Sequence, residues 1–147
     1  MLIVHVVVGF LALGLNLLAF LVGAVAWWRR RPSPVFWRLL RSGQVAVVAE
    51  AVFGGVLLLI GDKALSLHYL YGALPIVVAV FAEQLKISAA TQVLDSRGLA
   101  DAQTVGKLST EAQREVVVAI MRKEIGVMTL AALIVVTLLA RAATVVH

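Results

Sequence analysis

The first part of the chain is an uninterrupted apolar stretch, and it constrains the fold more than any other feature. Residues 2–28 contain no Lys, Arg, Asp or Glu, and they end with Trp27 and Trp28, which are followed by Arg29, Arg30 and Arg31. About 20 apolar residues in a helix cross the hydrocarbon core of a bilayer, and aromatic residues next to a basic cluster are typical of a cytoplasmic membrane interface. Because no basic residue precedes the stretch, we expect a retained membrane helix rather than a signal peptide.

The overall composition extends this interpretation to the whole chain. Of the 147 residues, 62% are hydrophobic and only 14% are charged, which is unlike a soluble globular protein. We predict a single transmembrane domain, an all-α four-helix up-down bundle. The predicted spans are residues 2–28, 43–60, 67–85 and 125–141, with a hydrophilic cytoplasmic hairpin region over 88–123. Cysteine is absent, which excludes disulfides, iron–sulfur clusters and covalent c-type haem.

Local signals indicate where helices begin and end. The segment Arg31–Pro34 is predicted to end the first helix and separate the first two spans. Phe36–Arg38 is predicted to be an interfacial re-entry into the membrane. The segment Asp95–Gly98 is predicted to form a turn. Thr110–Gln113 is predicted to be the capping box that starts a helix continuing into the fourth span.

The distribution of positive charge predicts the orientation. Eleven of the thirteen Lys and Arg residues lie between the first and second spans or between the third and fourth, leaving only Lys63 and Arg141 on the other side. The positive-inside rule then places both termini outside the cytoplasm. The net charge of +5 is explained by topology and by contact with anionic lipid, so nucleic acid is not an expected partner.

Two histidines begin similar segments at the start of two spans. His5 is followed four residues later by Gly9, and His68 is followed four residues later by Gly72. Because the first and third spans run in the same direction, both imidazoles should lie at one depth and face each other across the bundle. Such a pair can supply the axial ligands of a haem iron. Gly9 and Gly72 would leave space for the edge of the macrocycle.

The remaining polar residues at that end would surround the haem propionates. The candidates are Arg141, Lys63, Tyr69 and Tyr71. Other interpretations of the histidines stay open: His5 can be an ordinary interfacial residue, His68 can cap the third helix and bond a carbonyl, and the pair can belong to another metal site, copper included, or to a quinone site. His147 is not assigned a role.

A histidine followed by a small residue one turn later in the first span, four spans and basic cytoplasmic loops together resemble small four-helix b-type cytochromes and CopD-like membrane proteins. The resemblance implies that His5 and His68 ligate haem b. It also implies an electron-transfer role in a bacterial-type inner membrane, with a quinol or a redox protein as partner. The wider cytochrome b561 class uses more histidines for two haems, so a single haem is expected here.

Two carboxylates lie within the predicted spans, where a charge is costly and often functional. Glu50 is the stronger candidate, as a proton carrier or as the polar wall of a quinone pocket. Glu83 lies three residues before Lys86, and a local ion pair is the favoured interpretation. No motif indicates a soluble-substrate hydrolase, so any enzymatic role would be that of an oxidoreductase. The alternatives are a non-haem accessory or assembly subunit of a larger complex or homo-oligomer, and a small transporter that uses Glu50.

Overall fold

The computed structural model describes residues 1–61 and 64–145. Lys63 and His147 lie outside the described residues. Every regular element in the described part is a helix. They are α1 (Leu2–Arg29), α2 (Pro34–Leu59), α3 (Ser66–Ser96), the short α4 (Ala102–Gly106) and α5 (Thr110–Thr144). All except α4 are long and apolar enough to cross a membrane, so the chain is a multi-pass membrane protein. Each predicted span lies within one of the four long helices or extends no more than one residue past its end.

The break between the first two long helices is where the sequence predicts it. Helix α1 ends at Arg29, and Arg30 adopts a left-handed conformation with φ of 52°. Ser33 then caps α2 by accepting a hydrogen bond from the backbone N–H of Phe36 at 3.2 Å, and Pro34 occupies the first helical position. Proline there costs no hydrogen bond, because that N–H has no intrahelical partner.

The interfacial re-entry predicted at Phe36–Arg38 stays a prediction, and the structure adds where the Phe36 side chain packs. The Phe36 side chain is fully buried, with 0% exposure, in a cluster with residues of α1 and α5 that include Ala19 and Met128. The reason is the tight connection after Arg29, which lays the first turn of α2 directly against α1. The aromatic ring therefore fills the space between the helices.

The polar region between α3 and α5 is ordered by short-range hydrogen bonds. Helix α3 ends at Ser96 and the chain turns at Gly98, which has φ of 66°, so the predicted turn is confirmed. The helix cap is Ser109 rather than Thr110: its hydroxyl accepts from the backbone N–H of Ala112 at 3.3 Å. Both residues are good caps. The Gln113 side chain also donates a hydrogen bond to the Leu108 carbonyl, at 2.9 Å, just before the cap. The predicted continuation of α5 through the fourth span is confirmed.

Small residues allow the long helices to approach closely. Helix α1 packs on α2 and α5, and α3 packs on α5, whereas α2 and α3 make few contacts. The buried side of α1 is a stripe of small residues: Ala12, Asn16, Ala19, Gly23 and Ala26. Small side chains let membrane helices pack backbone to backbone, and this close packing determines which polar residues of neighbouring helices meet.

Candidate functional site

Both predicted histidines lie at one end of the molecule, where the starts of α1 and α3 meet. The ring centroids of His5 and His68 are 5.9 Å apart, and the ring planes are inclined by 70°. The predicted approach of His5 and His68 is therefore confirmed. These two residues are called the histidine pair below.

His68 is held by a carbonyl of another helix. Its Nδ1 lies 3.0 Å from the carbonyl oxygen of Ala142, in the last turn of α5. Because a carbonyl can only accept, Nδ1 carries the proton in this contact, and Nε2 is left with a free lone pair. The same carbonyl also accepts a hydrogen bond from the backbone N–H of Val145 at 3.4 Å, at the end of α5. The bond from His68 orients the imidazole and also ties α3 to α5.

His5 is paired with Glu50 of α2. The His5 Nδ1 and the Glu50 Oε1 are 3.1 Å apart, and both side chains are largely buried. Within the described part of the chain, both Nδ1 of His5 and Oε2 of Glu50 are buried polar atoms without a hydrogen-bond partner. Such atoms are rare in folded proteins and point to a functional role or to a further ligand.

Two glycines make this pairing possible. A Cβ atom at Gly9 would lie 2.7 Å from Oε1 of Glu50, and a Cβ atom at Gly54 would lie 3.2 Å from Cε1 of His5. Each polar side chain thus lies over a glycine of the facing helix. The space beside Gly9, predicted to receive a macrocycle edge, is instead taken by the Glu50 carboxylate. Gly72 differs, because a Cβ there would meet nothing within 4 Å.

The contact between His5 and Glu50 was missed by sequence reasoning, which singled out Glu50 without a partner. A usable signal was present in the spacing: His5 and Gly9 are four residues apart in α1, and Glu50 and Gly54 are four residues apart in α2. Residues four apart lie on one helix face. Two such pairs on antiparallel helices can interlock, with each polar group over the other helix's glycine.

Three of the predicted propionate partners, Tyr69, Tyr71 and Arg141, have other contacts in the structure. The Tyr69 hydroxyl accepts a hydrogen bond from the backbone N–H of Ala64 at 2.8 Å, which anchors the start of α3. The Arg141 guanidinium lies 5.8 Å from the ring centroid of Tyr71, a cation–π distance. Their role beside propionates stays a prediction.

No cluster of three or more His, Cys, Asp or Glu residues is arranged to hold a metal ion in the described part of the chain. The histidine pair therefore offers two protein nitrogens, a number that suits an iron whose other ligands come from a macrocycle.

A second polar group lies toward the other end of α2 and α3. The predicted pair between Glu83 and Lys86 is confirmed, at 2.9 Å. Sequence reasoning missed two further donors to the same carboxylate, Arg41 and Gln44 of α2.

Comparison with protein-family models, with curated proteins and with solved structures finds no match to this chain. The function is therefore inferred from the geometry of the site.

Proposed function

We propose that this protein binds one b-type haem between His5 and His68 and acts in electron transfer. The observation that carries the proposal is the 5.9 Å separation of the two imidazole centroids. In a bis-histidine site each coordinating nitrogen lies about 2 Å from the metal, on opposite sides, so the ring centres are roughly 6 Å apart. The spacing of the histidine pair is close to that value.

The surroundings of one nitrogen in each ring support the same proposal. Metal-ligating histidines usually direct the second ring nitrogen to a carbonyl or a carboxylate, which sets the orientation of the ring and its basicity. In His68 that nitrogen contacts the Ala142 carbonyl, and in His5 it lies beside the Glu50 carboxylate. Nε2 of each ring is then the atom available to a metal. The haem supplies a one-electron ferric–ferrous couple when it is bound.

The proposed setting is an up-down bundle in a bacterial-type inner membrane, with both termini on the non-cytoplasmic side. The excess of Lys and Arg in two of the three connections supports this orientation. The haem would then lie near the outer face, and Arg141, which precedes Ala142 in α5, would offset propionate charge. The electron partner would be a quinol or a redox protein.

Optical spectra of the detergent-purified protein, oxidised and then reduced with dithionite, test the proposal. We expect a Soret band that shifts on reduction, with sharp alpha and beta bands. His5→Ala and His68→Ala should each remove most of the bound haem, and His147→Ala serves as the matched control that should change nothing. Full haem retention in both ligand variants would contradict the proposed ligation.

The competing function is that of a non-haem accessory subunit or a small transporter that uses Glu50. The buried Oε2 of Glu50 favours it, since this oxygen has no hydrogen-bond partner in the described part of the chain. A colourless preparation that also fails to take up added haemin would support this alternative and reject the haem protein.

A further inference from the structure

The C-terminal turns of α1 and the connection to α2 form a groove with a volume of about 420 Å³. Its apolar part is lined by Leu21, Val22, Val25 and Ala26 of α1. Its polar part is lined by Arg29, Arg31 and Ser33, with Pro32 beside them. In the described part of the chain, no acidic residue lines this groove. It is called the α1 groove below.

The positive charge at the polar end of the α1 groove has no counter-ion in the part of the chain that the structure describes. Arg29 and Arg31 are both exposed there, and neither forms a salt bridge. The cations of the second polar group differ, because Arg41 and Lys86 both pair with the Glu83 carboxylate. An external anion can therefore bind Arg29 and Arg31 without displacing a carboxylate.

Backbone hydrogen bonds fix the loop that carries these arginines. The N–H of Arg30, which has φ of 52°, donates to the Trp27 carbonyl at 3.2 Å. The N–H of Arg31 donates to the Ala26 carbonyl at 3.1 Å, and together these two bonds form the Schellman motif that ends many helices. The Ser33 hydroxyl accepts the capping hydrogen bond of α2, so its own proton is available to a ligand. The loop thus presents two guanidinium groups and one hydroxyl donor from a fixed backbone.

Phosphate is the anion that suits these donors. A guanidinium group presents paired N–H donors in one plane, and this geometry matches two oxygens of a phosphate. The Ser33 hydroxyl adds a donor for a further oxygen. The polar end of the α1 groove therefore fits a phosphate group better than a neutral acceptor.

The apolar part of the α1 groove selects a phosphate that carries an acyl chain. Leu21 and Arg29 are about 12 Å apart along the helix axis, at 1.5 Å per residue, with the apolar positions first and the arginines last. Leu21 and Val25 are 50% and 53% exposed, on a helix long and apolar enough to cross a membrane. A soluble anion would leave these walls uncovered, and an acidic soluble protein would not reach them in the bilayer.

We infer that the α1 groove binds one anionic phospholipid. Arg29, Arg31 and the Ser33 hydroxyl hold its phosphate, and one acyl chain lies against Leu21 and Val25. In the proposed orientation this end of α1 faces the cytoplasmic leaflet, which carries the negative surface potential. The choice of leaflet rests on the proposed orientation, whereas the binding depends neither on it nor on haem.

Native mass spectrometry of the detergent-purified full-length protein tests the inference. Dioleoylphosphatidylglycerol is compared with dioleoylphosphatidylcholine, which has the same acyl chains but a headgroup without net charge. We expect saturable binding of one phosphatidylglycerol, about tenfold tighter than phosphatidylcholine. Arg29→Gln/Arg31→Gln should weaken the binding of phosphatidylglycerol at least about tenfold, because the hydrogen bonds of two charged donors are lost.

The matched control for charge is Arg38→Gln/Arg114→Gln, which removes two exposed arginines outside the groove and should leave the affinity unchanged. Equal binding of the two lipids would overturn the inference. An equal loss of affinity in the two double variants would also overturn it, because attraction to the overall charge of the protein would then explain the binding.

A second pair of variants tests the apolar part. Val25→Phe places an aromatic ring in the groove and should weaken the binding of phosphatidylglycerol about threefold or more. Val45→Phe makes the same change at a position of α2 that is 69% exposed and lies outside the groove, and it should have no effect. Unchanged affinity in Val25→Phe would overturn the α1 groove as the place where the acyl chain lies.

This inference and the proposed function fail in different ways. Selective binding of phosphatidylglycerol to a protein without haem would reject the haem protein and leave the α1 groove assigned. A normal haem spectrum without lipid selectivity would reject the lipid site and leave the haem site intact.

Discussion

Substituting two glycines of α1 should change the stability of the protein in opposite directions. At Gly23, a Cβ atom would lie 2.6 Å from Cε2 and 2.8 Å from Cδ2 of Phe36, and it would also contact Oγ1 of Thr129. Phe36 and Thr129 are 0% and 1% exposed, so neither can turn away into solvent or lipid. At Gly14, on the same helix, a Cβ atom would meet nothing within 4 Å.

The magnitudes follow from two opposing effects. An ordinary carbon–carbon contact is 3.4 Å or more, so Gly23→Ala requires the Phe36 ring to move by nearly 1 Å. Overpacking of this kind costs typically about 1–3 kcal/mol, and the helical preference of Ala over Gly offsets up to about 1 kcal/mol. We therefore expect a net loss of about 1–2 kcal/mol. Gly14→Ala has only the helical term and should gain about 0.5–1 kcal/mol.

Reversible unfolding in mixed micelles, with increasing SDS and circular dichroism as the signal, measures both free energies of unfolding. The expected gap between the two variants is about 2 kcal/mol, which is well above the error of such a titration. If Gly23→Ala were as stable as Gly14→Ala, the close contact between α1, Phe36 and Thr129 would be refuted.

Two further predictions concern the histidine pair and the polar connection. Gly9→Ala places a Cβ 2.7 Å from Oε1 of Glu50 and should push the carboxylate away from His5. The affinity for haemin, measured by titration, should then fall about tenfold. An equal loss of affinity in Gly14→Ala would contradict this prediction. The backbone N–H and the hydroxyl of Thr104 donate hydrogen bonds to Asp101 and hold its pKa below the usual value. The Asp101 cap on α4 is therefore complete above the pKa of the unfolded chain, about 3.9. It is lost as the pH falls through the lower pKa of the folded protein. Proteolysis of residues 97–109 by an acid-active protease should therefore accelerate as the pH falls below about 3.9, and Asp101→Asn should remove that pH dependence.

The parts of the fold that depend on neighbouring residues were predictable from the sequence. The four apolar segments, the break at Arg31–Pro34 and the turn at Asp95–Gly98 follow from hydropathy, proline and glycine, which act within a few residues. The approach of His5 and His68 was also predictable, because alternating spans bring equivalent depths together without any knowledge of side-chain packing.

The contacts of Glu50 and Glu83 required the tertiary structure. Whether Glu50 meets His5, and whether Arg41 and Gln44 meet Glu83, depends on the rotation and the axial register of α2 against its neighbours. That register results from close packing of small residues such as Gly9, Gly23 and Gly54 against partners far away in the chain. Hydropathy is insensitive to it, because a rotation of the helix moves every side chain without changing the average apolarity of the segment. The burial of Phe36 has the same origin, since it results from packing against residues of α1 and α5 that are distant in the sequence.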